Sequence, residues 1–165
     1  MVSTPSLRDE LGALLPRLRR FARGLAGDVA DADDLVQTAL ERALSRASQW
    51  DAREGGLAPW VFGIVRNAWL DEMRSRQRRG RLFAPAEAGD LVGDASADAH
   101  AAGLSIVAAM QRLPHEQRVV VALVLVEGLS YREAAESLDI PVGTVTSRLA
   151  RARQDLQRML GEESP

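Results

Sequence analysis

Two stretches of this 165-residue chain concentrate side chains that grip nucleic acid. Residues 66–81 carry six Arg against two acids, and residues 141–160 carry four Arg against one. Between them, residues 84–103 hold four acids (Glu87, Asp90, Asp94 and Asp98) and no Arg. The net charge of −2 therefore hides a segregation that suits contact with nucleic acid in two places. In the second basic stretch, Thr144, Thr146, Ser147, Arg148, Ala150, Arg151 and then Arg153 fall on the outward side of a helical pattern. Hydroxyls can hydrogen-bond base edges, a small methyl can meet thymine, and Arg can grip guanine or phosphate. All 21 basic residues are Arg and none is Lys, a bias that a GC-rich genome also produces. The clusters consequently say more than any single Arg.

Other chemistries lack their residues. There is no cysteine, which excludes disulfides, thiol redox and Cys-ligated zinc. His100 and His115 are the only histidines, too few and too poorly accompanied for a metal centre. No glycine-rich phosphate loop and no nucleophile–base pair is present, so no catalytic residue, metal or cofactor is expected. No apolar run is long enough for a bilayer, and the N-terminus lacks the shape of a signal peptide. A soluble cytoplasmic protein that is not an enzyme is the expectation.

The elements that position these residues are all helical. An all-α fold is predicted, with two small helical domains (residues 7–83 and 104–160) joined by a flexible acidic linker over 84–103. In the first, Leu7, Leu11, Leu14, Leu15, Leu18, Phe21, Ala22 and Leu25 form an apolar stripe. Pro16 should kink it or start a new helix, and Gly27 should end it. Asp31, Asp33 and Asp34 are expected to cap the next helix. That helix should bury Val36, Ala39, Leu40, Ala43, Leu44 and Ala47 and show Asp34, Gln37, Thr38, Glu41, Arg42 and Ser45. A loop from Trp50 to Ala58 leads to Pro59, in the first turn of a long helix whose buried face should be Trp60, Val61, Ile64, Val65, Ala68 and Met73. It ends in the Arg cluster.

The second domain should hold four helices. Leu104 to Arg112 is the first, and Pro114 opens a second with an apolar core from Val119 to Val126, ended by Gly128. Ser130 to Glu133 has the form of a capping box, starting a third helix over about 131–138. Asp139-Ile140-Pro141 turns into a fourth, which runs to about Met159. The last two have the size and spacing of a helix-turn-helix: Ala135 allows close approach, and Leu138, Ile140, Val145 and Leu149 fix the angle. Such a motif lays its second helix in the major groove.

The string GLSYREAAESLDIPVGTVTSRLARARQDLQRML closely resembles region 4 of sigma factors, most specifically over PVGTVTSRLARAR. LRRFARGLAGDVADADDLVQTALERAL resembles the part of sigma region 2 that docks on polymerase, and WVFGIVRNAWLDEMRSRQRR the part that reads the −10 element. The match covers nearly the whole chain in the family's order, in the two-domain form of the extracytoplasmic-function (ECF) group. The resemblance implies promoter-specific initiation with core RNA polymerase, contacts to the clamp coiled-coil and flap of its large subunits, promoter DNA as ligand, and control by an anti-sigma factor, without membrane insertion. It assigns Asp34, Gln37, Thr38, Glu41 and Arg42 to the clamp. A flipped base of the −10 element would be held by the Trp50–Trp60 loop and the next helix, with Asn67 reading it. Arg66, Arg74, Arg76, Arg78 and Arg79 would serve the same DNA, the last four as phosphate contacts. Region 4 implies the −35 element for the recognition helix.

Two rivals remain open on sequence. A free-standing helix-turn-helix regulator leaves the region 2 match unexplained. A sigma mimic that sequesters an anti-sigma factor need not keep two Arg-rich helices. If the linker is free, its ends average about 25 Å apart against a maximum near 70 Å. Promoter elements one and a half turns apart lie about 50 Å from each other. Polymerase must then keep the linker extended.

Overall fold

The computed structural model describes residues 6–82 and 99–161, and the side chains of 6–80 and 106–161; most of the expected linker, residues 83–98, lies outside them. Seven α-helices are formed: α1 (Leu7–Ala26), α2 (Val29–Ser45), α3 (Leu57–Leu82), α4 (Ala99–Arg112), α5 (His115–Val121), α6 (Tyr131–Leu138) and α7 (Val142–Gly161). Among the described residues there is no strand. The all-α expectation holds, and α4 begins inside the stretch read as linker.

Local signals account for most boundaries. Ser6 and Asp9 form a reciprocal capping box on α1, and Gly27 ends that helix at φ 78°, a left-handed backbone that glycine adopts without a Cβ penalty. Pro16 neither breaks α1 nor starts a helix. Its missing N–H leaves the Gly12 carbonyl without its usual donor, and both residues are exposed, where water can serve that carbonyl. The cap of α2 is Asp28, not the later aspartates; its carboxylate accepts from the Asp31 N–H at 3.2 Å. The Ser130–Glu133 capping box on α6 forms as expected, and Asp139 makes the helix-turn-helix corner in the left-handed region at φ 52°.

Burial corrects the stripes in places. In α2, Ala32 and Leu35 join Val36, Ala39 and Ala43 inside, while Leu44 is 44% exposed and Leu40 is half-buried; Ala47, also half-buried, falls beyond α2 in a short 3-10 turn. In α3, Phe62 and Trp69 are buried alongside Val61, Ile64, Val65 and Ala68, whereas Trp60 and Met73 are half-buried. The α5 run does not stay buried to Val126. It passes into a π turn over Ala122–Val126 that leaves Leu125 and Val126 exposed.

The two sets of helices share one apolar core. Phe21 of α1 meets Phe62 of α3 edge to face at 5.0 Å, and α1 also carries the α4–α5 corner. There Arg118 uses all five guanidinium donors: Nη1 to the Leu25 carbonyl (3.0 Å) and Gln111 Oε1, Nη2 to the Gln111 and Leu113 carbonyls, and Nε to the Met110 carbonyl. Gln111 in turn donates to the Gly24 carbonyl at 2.9 Å. These contacts satisfy carbonyls at the C-terminal ends of α1 and α4, groups that helices leave unpaired. Gly27 makes this possible, since a Cβ there would lie 2.8 Å from the Gln111 side chain.

Candidate polymerase and promoter interfaces

The outward side of α2 presents Asp34, Gln37 and Glu41 in the open, with Gln37 donating to Glu41 at 3.4 Å. Thr38 and Arg42 are half-buried. Arg42 leans across to α3, where its Nη1 meets Asp71 at 2.7 Å. The five residues assigned to the clamp thus share one side of α2, but Arg42 is committed to the neighbouring helix.

Asn67 stands exposed on the rim of a pocket of about 340 Å³ between the Trp50–Gly56 loop, α3 and α6. That volume falls within the roughly 300–1,000 Å³ typical of small-ligand sites. Trp50 and Trp60 form part of its wall, ring centroids 6.4 Å apart. The buried indole N–H of Trp50 has no hydrogen-bond partner among the described residues. The helical pattern puts Trp60 on the buried face of α3; in the structure both tryptophans pack against the core and line the pocket as well. Their place in a loop and a first helical turn, next to Gly55 and Gly56, was the signal for the second role. The Asn67 carbonyl accepts from Arg66 at 3.1 Å. Arg66 is half-buried, and its pKa is pushed down first by burial, then by Arg148 and Arg74 nearby.

Three arginines of the α3 cluster are paired with acids on α2 and α3. Arg76 meets Asp31 and Glu72, both at 2.9 Å, Arg79 meets Glu72 at 3.1 Å, and Arg74 meets Asp71 at 3.8 Å. The Arg76 hydrogen bond is the main reason the Glu72 carboxyl is held below its ordinary range. Arg78 is exposed, with no ion pair within the described residues. Exposed pairs of this kind are worth only about 0–1 kcal/mol, so phosphates can replace the acids at small cost.

On α7, Thr146, Ser147, Ala150, Arg151 and Arg153 are exposed, while Val145, Leu149 and Ala152 are buried. Thr144 and Arg148 are half-buried, and Arg148 turns toward α5 to pair with Glu116 at 3.3 Å. Five of the seven residues expected to face outward are therefore exposed, and Thr144 and Arg148 are not. Thr146 donates to the Val142 carbonyl (3.1 Å) and Ser147 to the Thr144 carbonyl (3.2 Å), which leaves their oxygens as acceptors. Within the described residues no group of His, Cys, Asp or Glu could hold a metal, and no helix is long and apolar enough to cross a membrane.

Comparison with known proteins places both halves. Residues 11–79 match the sequence model of sigma-70 region 2, and residues 103–156 that of sigma-70 region 4. The chain is 38% identical over 160 residues to the ECF RNA polymerase sigma factor EcfG of Rhodopseudomonas palustris, covering 97% of this chain and 88% of that one. It is 37% identical over 145 residues to SigM of Mycobacterium tuberculosis, covering 88% and 72%. Its fold superimposes on the sigma factor RpoE, solved in complex with the anti-sigma factor NepR from Bartonella quintana, with TM-score 0.77, 31% identity and coverage of 95% and 98%. CnrH, solved in complex with the cytosolic domain of CnrY, matches with TM-score 0.71, 25% identity and coverage of 94% and 87%. With both halves matched in order and relatives 37–38% identical over most of its length, the chain belongs to the ECF sigma factors of the sigma-70 family.

Proposed function

We propose that this chain binds core RNA polymerase in the cytoplasm and directs initiation at promoters read through two separate elements, without catalytic chemistry of its own. The Asp34–Gln37–Glu41 side of α2 docks on the clamp. The Trp50, Trp60 and Asn67 pocket takes a base extruded from the −10 element, and the exposed residues of α7 read the −35 element. The observation that carries this reading is the presence, on one chain and in family order, of a base-sized pocket and a solvent-facing recognition helix. Extruding a base costs a few kcal/mol, and stacking on an aromatic surface returns about 1–3 kcal/mol. The two tryptophans suit that role. Because the relative solved at 31% identity was bound to an anti-sigma factor, control by such a partner is part of the proposal. The test is transcription by core polymerase, with and without the purified chain, on a library of genomic fragments from the source bacterium. Discrete start sites that require the chain are expected. No chain-dependent start, under conditions where the chain is folded, would refute the reading.

A further inference from the structure

The basic end of α3 is not held by apolar packing. Among the described side chains, Trp69 is the last buried one of that helix, and none of residues 70–80 is buried. The helix runs on to Leu82, an overhang of about 20 Å at 1.5 Å per residue. Arg74, Arg76, Arg78 and Arg79 all stand on it. Beside it, a cleft of about 350 Å³ opens between α2 and α3.

Two ion pairs cross that cleft. Arg42 of α2 meets Asp71 of α3 at 2.7 Å, and Arg76 of α3 meets Asp31 of α2 at 2.9 Å. All four side chains line the cleft, and the two on α2 stand about three turns apart. Each helix thus supplies the cation of one pair and the acid of the other. Arg76 is also braced from its own helix: its Nε donates to Glu72, one turn back, at 2.9 Å, while its Nη2 faces Asp31. A planar guanidinium serves two carboxylates from fixed directions, which a lysine ammonium does not. These bonds, Glu72 first and then Asp31, raise the Arg76 pKa above its ordinary value.

The remaining arginines are held less. Arg79 has a single pair, to Glu72 at 3.1 Å, and Arg74 a long one to Asp71 at 3.8 Å. A phosphate can take either by breaking one exposed contact. To take Arg76 it must break two and release α3 from α2.

We infer that Arg42 and Arg76 are positioning residues: they tie the overhanging end of α3 to α2, and neither contacts polymerase or phosphate. Arg74, Arg78 and Arg79 are left to meet the −10 strand. Asp31 and Asp71 then serve DNA reading although their charge opposes DNA. The inference rests on the proposed roles of α2 and α3 for its consequence: polymerase fixes α2, and the ties carry that placement to the arginines of α3.

The acids give a test in which the two alternatives differ in sign. Removing a carboxylate beside a phosphate path strengthens DNA binding by charge alone. Removing a tie weakens initiation. Asp31→Asn, Asp71→Asn, Arg42→Ala and Arg76→Ala should each lower chain-dependent initiation in the library assay about three- to fivefold, the order of one surface ion pair, with helicity unchanged by circular dichroism. Arg42→Ala with Asp71→Asn, and Arg76→Ala with Asp31→Asn, should lose no more than the single variants. Arg42→Ala should keep its affinity for core polymerase, measured by fluorescence anisotropy. On a start-site fragment, Arg78→Ala and Arg79→Ala should each flatten the salt dependence of binding by about 0.7–0.9 in log–log slope, and Arg76→Ala should not. Placement can be read without polymerase. The chain has no cysteine, so Ala30→Cys with Gln77→Cys, both exposed, takes spin labels on α2 and α3 alone. Their distance distribution should be narrow in the otherwise natural chain and broaden when either tie is removed. An acid variant that initiates as well as the parent, core affinity lost with Arg42→Ala but kept with Asp71→Asn, a slope flattened by Arg76→Ala, or unchanged distances in the folded variants would overturn the ties. Absence of initiation from the parent chain would instead count against the sigma reading, leaving the spin-label distances to judge the ties.

Discussion

His115 shows how a single residue reports on the packing between the halves. Its Nδ1 accepts from the Trp69 indole at 2.9 Å, so the ring proton sits on Nε2, which is buried without a partner. Burial first, then Arg118, Arg66 and Arg148, lower its pKa to about 4, with Glu116 the opposing acid. The folded pKa lies below the ordinary 6.5, so the unfolded chain takes up the proton first. Its stabilising contribution is complete above about pH 6.5, declines as pH falls toward 4, and changes no further below that. Melting temperature should therefore fall more steeply over that window for the natural chain than for His115→Gln; parallel curves would count against a neutral, acceptor His115. On α7, the hydroxyls that donate to their own helix remain free to accept from adenine or cytosine amino groups. Thr146→Ala and Ser147→Ala should change preference at individual −35 positions by roughly 1–3 kcal/mol. Arg153→Ala should weaken binding to all sequences alike and reduce its salt dependence. A uniform loss for all three would mean that α7 is oriented differently on DNA.

Among the helices, α2 and α6 carry the clearest expectations. Asp34→Arg with Glu41→Arg alters only the exposed side of α2 and leaves Ala32, Leu35, Val36, Ala39 and Ala43 in the core. Affinity for core polymerase should drop without loss of helicity, measured by fluorescence anisotropy and circular dichroism. Unchanged affinity would move the docking surface elsewhere. Arg42 is a poor choice for that test, because its removal also strands Asp71 on α3. The eight-residue α6 is too short to be stable alone and depends on its cap and on packing. Ser130→Ala should cost about 1 kcal/mol in denaturant unfolding, since both hydrogen bonds of the capping box involve that residue and Glu133. A cost near zero would show that packing by Ala134, Ala135 and Leu138 suffices.

For the molecule as a whole, the two sets of helices share one core, while the proposed promoter reading needs their DNA faces well apart. Residues 83–98 connect α3 to α4 and could span at most about 60 Å if fully extended. Removing ten of them reduces that reach to roughly 25 Å. The shortened chain should still dock on core polymerase through α2 and lose initiation at start sites that need both elements. Full activity would show that the halves do not bridge the promoter. Replacing Glu87, Asp90, Asp94 and Asp98 with Asn and Gln at full length should have the smaller effect.

Much of the molecule was legible from local pattern: the helices, Gly27, the capping box at Ser130, the helix-turn-helix corner and the outward face of α7. Each depends on periodicity or on groups within a few residues of one another, which a sequence displays directly. Family resemblance suggested the polymerase and promoter roles proposed for those faces. Side chains that answer to distant partners were not legible. Phe62 and Trp69 are buried because Phe21 and His115 meet them, and Arg148 turns from the DNA face because Glu116 is beside it. Two tryptophans took positions shared between core and pocket, which composition alone does not distinguish. Glu127 reads in sequence as a polar residue before a helix-ending glycine. Only the tertiary structure places it against Arg17 and Arg20, 110 and 107 positions away, where desolvation of a carboxylate makes the pairing of the two halves a physical requirement.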